Sequence, residues 1–270
     1  MPVARLSSAS LYYELHPPAG AQAGGAEPAR VLVVPGSGSD LREPPGAFGW
    51  PGSERLAVLS YEHRDLGRSQ AAGQEPPSME DLAADALELA DHVGWHTFSV
   101  VGISFGGMVA QELALRAPER VVKLVLAITS GGGGLGSSYP LHELYARPAE
   151  ERLALLVSLL DTRTAEDPQL AAALRGFLAT SDSLHPGEVS PGLVRQLDAR
   201  RRHDASARVG ELTMPCLVVA GRHDGIAPPE RSAALAAAIP GARLAVLDGG
   251  HGVLVQDPAA WPMIAAFLAS

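Results

Sequence analysis

The sequence predicts an α/β fold, a mostly parallel sheet of roughly eight strands with helices on both faces and a helical segment inserted late in the chain. Three observations carry this. Short β-branched apolar runs alternate with longer helical patterns along most of the 270 residues. Several runs are apolar without alternation, as strands covered on both faces must be. The interval 131–208 breaks the rhythm: it has no strand pattern and three segments that open on proline.

The strand candidates are residues 11–15, 30–34, 56–61, 98–103, 121–128, 216–220 and 243–247. Ser78 is suited to cap a helix whose apolar face is Leu82, Ala86, Leu89 and Val93, spaced by fours and threes. A second helix starts just after Ser104 and stops near Arg116, ahead of Pro118. Others are expected over 230–238 and 258–268, with Pro258 suited to a first turn. Residues 19–28 read as a small-residue loop.

In the interval 131–208 the segments begin at Pro148, Pro168 and Pro191, and Asp167 and Ser190 stand where caps would. Leu170, Leu174, Phe177 and Leu178 share one helical face. The expected division is a core domain of residues 1–130 and 209–270, with 131–208 a helical lid entered through the glycine run 131–134. Leu153, Leu156, Leu159, Leu160 and Phe177 either line an apolar pocket or pack the lid onto the body.

Composition narrows the partners. Hydrophobic residues are 46% and charged residues 19%, a globular balance, and aromatics are only 5%, so an aliphatic core is expected. A net charge of −9 argues against nucleic acid and anionic membrane surfaces, which want a basic face. The basic run Arg200-Arg201-Arg202 is either a solvated helix face or a contact to an anion or carboxylate. The one cysteine, Cys216, excludes an intrachain disulfide and reads as a buried filler. Residues 1–10 lack a signal-peptide pattern, and no apolar run approaches the roughly 18 residues of a membrane helix, so a soluble cytoplasmic protein is expected. With no H-E-x-x-H and no cysteine pair, metal catalysis finds no support and no metal is expected.

The chemistry concentrates in Gly102-Ile103-Ser104-Phe105-Gly106, a G-x-S-x-G pattern set between a predicted strand and a predicted helix. A serine on so sharp a turn takes a strained backbone, so its neighbours Gly102 and Gly106 must be small. A serine hydroxyl is a weak nucleophile at neutral pH and needs a base, which in turn needs an orienting group. His251 follows the last predicted strand in a glycine-flanked loop and is the candidate base. Asp224, in the loop after 216–220, is the candidate acid. Asp248 is its rival, but lies awkwardly close to His251 in the same loop. His223 reads as a loop residue; His142, His185 and His203 read as lid surface positions. Two amides are needed where negative charge develops: Phe105 N–H, and Ser37 N–H from the loop after 30–34, with Gly38 as the fallback.

Taken together, the elbow, the Pro35-Gly36 loop, the segment 61–69, the loop 221–224 and Gly250-His251 resemble the α/β-hydrolase superfamily over about residues 30–268. The similarity is to its esterase, enol-lactonase and anthracycline methylesterase branch. That implies a cofactor-free Ser-His-Asp hydrolase acting on a small carboxylic ester or lactone. The same triad also serves C–C bond hydrolysis, perhydrolysis and acyl transfer, and a non-catalytic ligand-binding relative is the reading from another class. Many relatives carry His-Gly where Pro35-Gly36 stands, and glycine where Asp65 stands.

Overall fold

The computed structural model describes residues 2–18, 28–42, 52–73, 75–180 and 189–270. Most of the expected loop at 19–28, and His185, lie outside the described residues. Along the chain come β1 (Val3–Arg5), β2 (Ala9–His16), β3 (Ala29–Val34), β4 (Leu56–Tyr61) and the short β5 (Gln70–Ala71). Then follow α1 (Met79–His92), β6 (Phe98–Ile103), α2 (Phe105–Arg116) and β7 (Val121–Ala127). Four helices come next: α3 (Leu141–Leu144), α4 (Ala149–Leu160), α5 (Pro168–Thr180) and α6 (Pro191–Arg201). The chain closes with β8 (Cys216–Gly221), α7 (Pro229–Ala238), β9 (Arg243–Leu247), α8 (Val253–Gln256) and α9 (Ala260–Ala269).

The strands form one nine-stranded sheet in the order β1-β2-β4-β3-β6-β7-β8-β9, with β5 against β2. From β4 to β9 every pairing is parallel; β1, β2 and β5 join antiparallel. The sheet is therefore mixed but mostly parallel, as expected. The inner strands are buried on both faces, β8 throughout its length, which is why they show apolar runs without alternation. On one face α1 and α2 pack through Leu82, Leu89, Val109 and Leu113; on the other α8 and α9 pack through Val253, Ile264 and Phe267.

Local chemistry sets the helix ends. Ser78 Oγ accepts from Asp81 N–H and Asp81 Oδ2 accepts from Ser78 N–H, a reciprocal cap worth about 1 kcal/mol. Asp167 Oδ1 accepts from the amides of Gln169 and Leu170 ahead of α5, and Ser190 Oγ accepts from Leu193 N–H at α6. Pro148 differs from expectation: it precedes α4 as its cap residue. So does Pro258, which lies in a turn before α9, where Asp257 Oδ1 takes the Ala259 amide. The strand expected to reach residue 128 ends at Ala127: Ile128 N–H still donates to Val219 O at 2.7 Å, but its backbone turns to φ 49. β1 and β5 were not foreseen, being too short to carry a period.

The segment between β7 and β8 has its own apolar cluster of Leu141, Leu144, Leu156, Val157, Leu178, Leu193 and Leu197, joined by Ile226 from the loop after β8. Leu153, Leu159 and Leu160 pack against this cluster, while Phe177 is exposed. The run 200–202 splits. Arg200 is buried and donates to Tyr139 O at 2.6 Å and Ser138 Oγ at 2.7 Å, whereas Arg201 and Arg202 are exposed and pair with Asp198. Cys216 is buried, and burial pushes its thiol up to about 12. Among the described residues no helix is long and apolar enough to cross a membrane.

His203, expected at the surface, is buried, and burial pushes its imidazole down to about 4. Burial does the same to His63, also to about 4, outweighing its hydrogen bond to Pro35 O. Both rings are thus neutral when folded yet take up protons near 6.5 when unfolded, so acid favours the unfolded chain. The stability they lend is full above 6.5 and is lost as pH falls toward about 4. Asp85, raised by burial against the pull of Arg64, acts in the opposite sense nearer its own range. Urea midpoints measured from pH 7 to pH 5 are expected to fall steadily; a flat profile there contradicts the neutral buried histidines.

Candidate active site

The site is built from the residues that follow parallel strands. Ser104 follows β6 with φ 55 and ψ −115, a conformation sparsely open to a residue with a side chain. Three hydrogen bonds hold it: Ser104 N–H to Ala127 O at 2.8 Å, Gly107 N–H to Ser104 O at 2.9 Å, and Thr129 Oγ1 to Ser104 O at 2.7 Å. The flanking glycines are required by close approach. A Cβ at Gly106 would stand 2.1 Å from Val34 O, and one at Gly102 2.6 Å from Gly106 O.

Ser104 Oγ lies 2.8 Å from His251 Nε2, and His251 Nδ1 lies 2.7 Å from Asp224 Oδ2. Asp224 follows β8 and its carboxylate is fully buried; its other oxygen accepts from the amides of Ile226 and Ala227, both at 2.8 Å. Those two donors fix the carboxylate plane before His251 meets it. A carboxylate accepting from Nδ1 leaves Nε2 as the acceptor facing Ser104, the tautomer a proton-abstracting imidazole needs. The rival Asp248 is exposed and engages His223 Nε2 at 3.2 Å instead, so neither residue enters this chain of contacts.

Phe105 is the first residue of α2, where amides lack intrahelical acceptors. Neither its N–H nor that of Ser37 meets an acceptor among the described residues. The loop bearing Ser37 follows β3 and passes close to the serine: a Cβ on Gly36 would stand 3.8 Å from Ser104 Cβ. The fallback donor is not open, since Gly38 N–H donates to Gln196 Oε1 at 2.9 Å. Beneath the same loop, His63 Nε2 meets Pro35 O at 3.1 Å and its ring stands edge-on to Phe105 at 5.4 Å. Being neutral, His63 donates there without placing a charge beside the site.

Gln196 and His63 were not foreseen. The available signal for Gln196 was a polar residue on the apolar stripe of α6, one turn from Leu193 and beside Leu197; it is buried with them. Asp65 sits at φ 63. Its side chain offsets that strain, with Oδ1 accepting from Ala71 N–H at 2.9 Å and Oδ2 pairing with Arg195 at 2.8 Å. This contact ties α6 to the core. Among the described residues no group of three His, Cys, Asp or Glu side chains is arranged to hold a metal ion.

This elbow on a parallel sheet belongs to a known class: the alpha/beta hydrolase fold family matches residues 30–258, and the chain is a member of it. Among curated relatives, it is 33% identical to polyketide synthase ThaQ of Burkholderia thailandensis over 93% of this chain, spanning only 12% of that protein. It is 31% identical to a 2-hydroxy-6-oxononadienedioate/2-hydroxy-6-oxononatrienedioate hydrolase of Klebsiella pneumoniae, over 82% of this chain and 80% of the relative. With rhodomycin D methylesterase DauP of a Streptomyces species it shares 28% identity, over 86% of this chain and 88% of the relative. The enol-lactonase of Burkholderia xenovorans has the same fold, with a TM-score of 0.77 at 23% identity and all of both chains covered.

The elbow admits no Cβ at Gly106. Gly106→Ala is therefore expected to destabilise the protein by at least about 2 kcal/mol, read from urea unfolding. A wild-type midpoint contradicts the close approach to Val34.

Proposed function

We propose that the protein is a serine hydrolase that cleaves a small carboxylic ester or lactone. One observation carries the reading: the unbroken line of contacts from Ser104 Oγ through both nitrogens of His251 to Asp224. Ser104 Oγ attacks the carbonyl carbon while His251 Nε2 takes the hydroxyl proton. Asp224 holds the imidazole by Nδ1 and stabilises the imidazolium. The carbonyl oxygen becomes an oxyanion that accepts from Phe105 N–H and Ser37 N–H. As the tetrahedral intermediate collapses, the C–O bond to the leaving alcohol breaks and His251 returns its proton to that oxygen. Water then attacks the acyl-serine by the same steps and frees the acid. Residues 131–208 act as a lid over this site, and its apolar cluster limits water at the reacting carbonyl.

A second reading keeps the same three residues for hydrolysis of a C–C bond beside a carbonyl. Its support is the 31% identity to the Klebsiella hydrolase over most of both chains. Product analysis with matched panels of esters, lactones and vinylogous diketones separates the two by which panel is turned over. Under either reading Ser104→Ala is expected to lower kcat by at least about a thousandfold. Turnover near wild type in that variant rules both out.

A further inference from the structure

The last carbonyls of an α-helix have no partners within it. At the end of α4 those partners come from the two loops that carry the proposed acid and base. Leu159 O accepts from Gly225 N–H at 2.9 Å, next to Asp224, and Leu160 O accepts from the amide of His251 itself at 2.6 Å. Thr162 N–H reaches His223 O at 2.9 Å, on the other side of Asp224. One helix end therefore grips both loops.

Asp161, the residue that ends α4, is fully buried and extends this grip through Gln256. Gln256 Oε1 accepts from Gly250 N–H at 2.7 Å, which leaves its amide nitrogen to donate to Asp161 Oδ2 at 3.1 Å. Arg163 holds the same carboxylate through its backbone N–H, Nε and Nη2, at 2.7–3.1 Å. Burial alone would raise the Asp161 carboxyl, but the hydrogen bonds from Arg163 and Gln256 bring it below its ordinary value and keep it an acceptor. Gly250 lies so close to the helix end that a Cβ there would stand 2.0 Å from Leu160 O. The order of contacts is Asp161 to Gln256, Gln256 to Gly250, and Gly250 to His251 by the chain itself.

We infer that the C-terminal end of α4 is the strut that sets His251 against Ser104, with Asp161 and Gln256 as positioning residues for the base. The inference rests on the proposed serine-hydrolase reading for its effect on turnover, though not for the contacts themselves. Because α4 belongs to the inserted segment, a shift of that end carries the acid and base loops with it. Seating of the insertion and assembly of the Ser104–His251–Asp224 line are then one event. A displacement of the base near 1 Å is enough to lower a rate by about a hundredfold.

The test is Gln256→Leu in the full chain, with two readouts at a temperature well below unfolding. Residue-resolved amide exchange by NMR is expected to quicken at least about tenfold at Gly250 and His251. With p-nitrophenyl acetate, kcat is expected to fall by about 10- to 100-fold while KM stays within about twofold. Gln256→Glu keeps an oxygen for Gly250 but sets a carboxylate against Asp161, and is expected to fall equally. Ser158→Ala, on the exposed side of α4, serves as the unchanged control. Wild-type exchange and kcat in Gln256→Leu overturn the inference. If the wild type hydrolyses no ester, the functional reading fails, and the exchange rates still decide the strut.

Discussion

Everything at the candidate site depends on a serine being held in a backbone conformation that it would not adopt alone. A residue in such a region costs of order 1–3 kcal/mol, and Ser104 meets that through three hydrogen bonds from the ends of β6, β7 and α2. The same requirement fixes the packing around it. Gly106 approaches the backbone of Val34 so closely that β3 and α2 are locked together, and this brings the loop bearing Ser37 beside the hydroxyl. The strain, the glycines and the empty amide at the start of α2 are one arrangement.

Parallel strands explain why the remaining groups converge. In a parallel sheet all carboxyl ends lie on one edge, and the chain leaves β3 and β6 toward opposite sides, opening a crevice between them. Ser37 and Ser104 flank that crevice. Asp224 and His251 follow β8 and β9 on the same edge. Residues 131–208 touch loops of the rest of the chain at three places: Arg195 to Asp65, Gln196 to Gly38, and the end of α4 to the loops of Asp224 and His251. Buried Gln196 and Asp161 thus reach core loops, whereas buried Arg200 bonds within the segment 131–208 itself.

How much of this was legible in the sequence follows from the range of each interaction. The seven principal strands and the helices at Ser78 and Ser104 were readable because apolar periodicity and caps are local. Ser104, His251 and Asp224 were readable because turn chemistry and order along the chain confine them to loops after strands. Gln196, His63, Asp161 and Gln256 were not, because each acts on a residue far away in sequence: Gly38 lies 158 positions from Gln196, and Asp161 lies 95 from Gln256. His203 was misjudged for a related reason. Its burial comes from packing between α2 and the end of α6, which no run of residues around it announces. The starts of α4 and α9 lie one or two positions later than the prolines suggest, because Pro148 is the cap residue of α4 and Asp257 takes the turn ahead of α9.

The central claim is that Ser104 is a nucleophile activated by its contact with His251. The measurement that tests it most directly is treatment with a fluorophosphonate, followed by mass spectrometric location of the adduct. The account predicts a single adduct on Ser104 that is lost in His251→Ala. An unmodified Ser104, under conditions that label a control serine hydrolase, would contradict it.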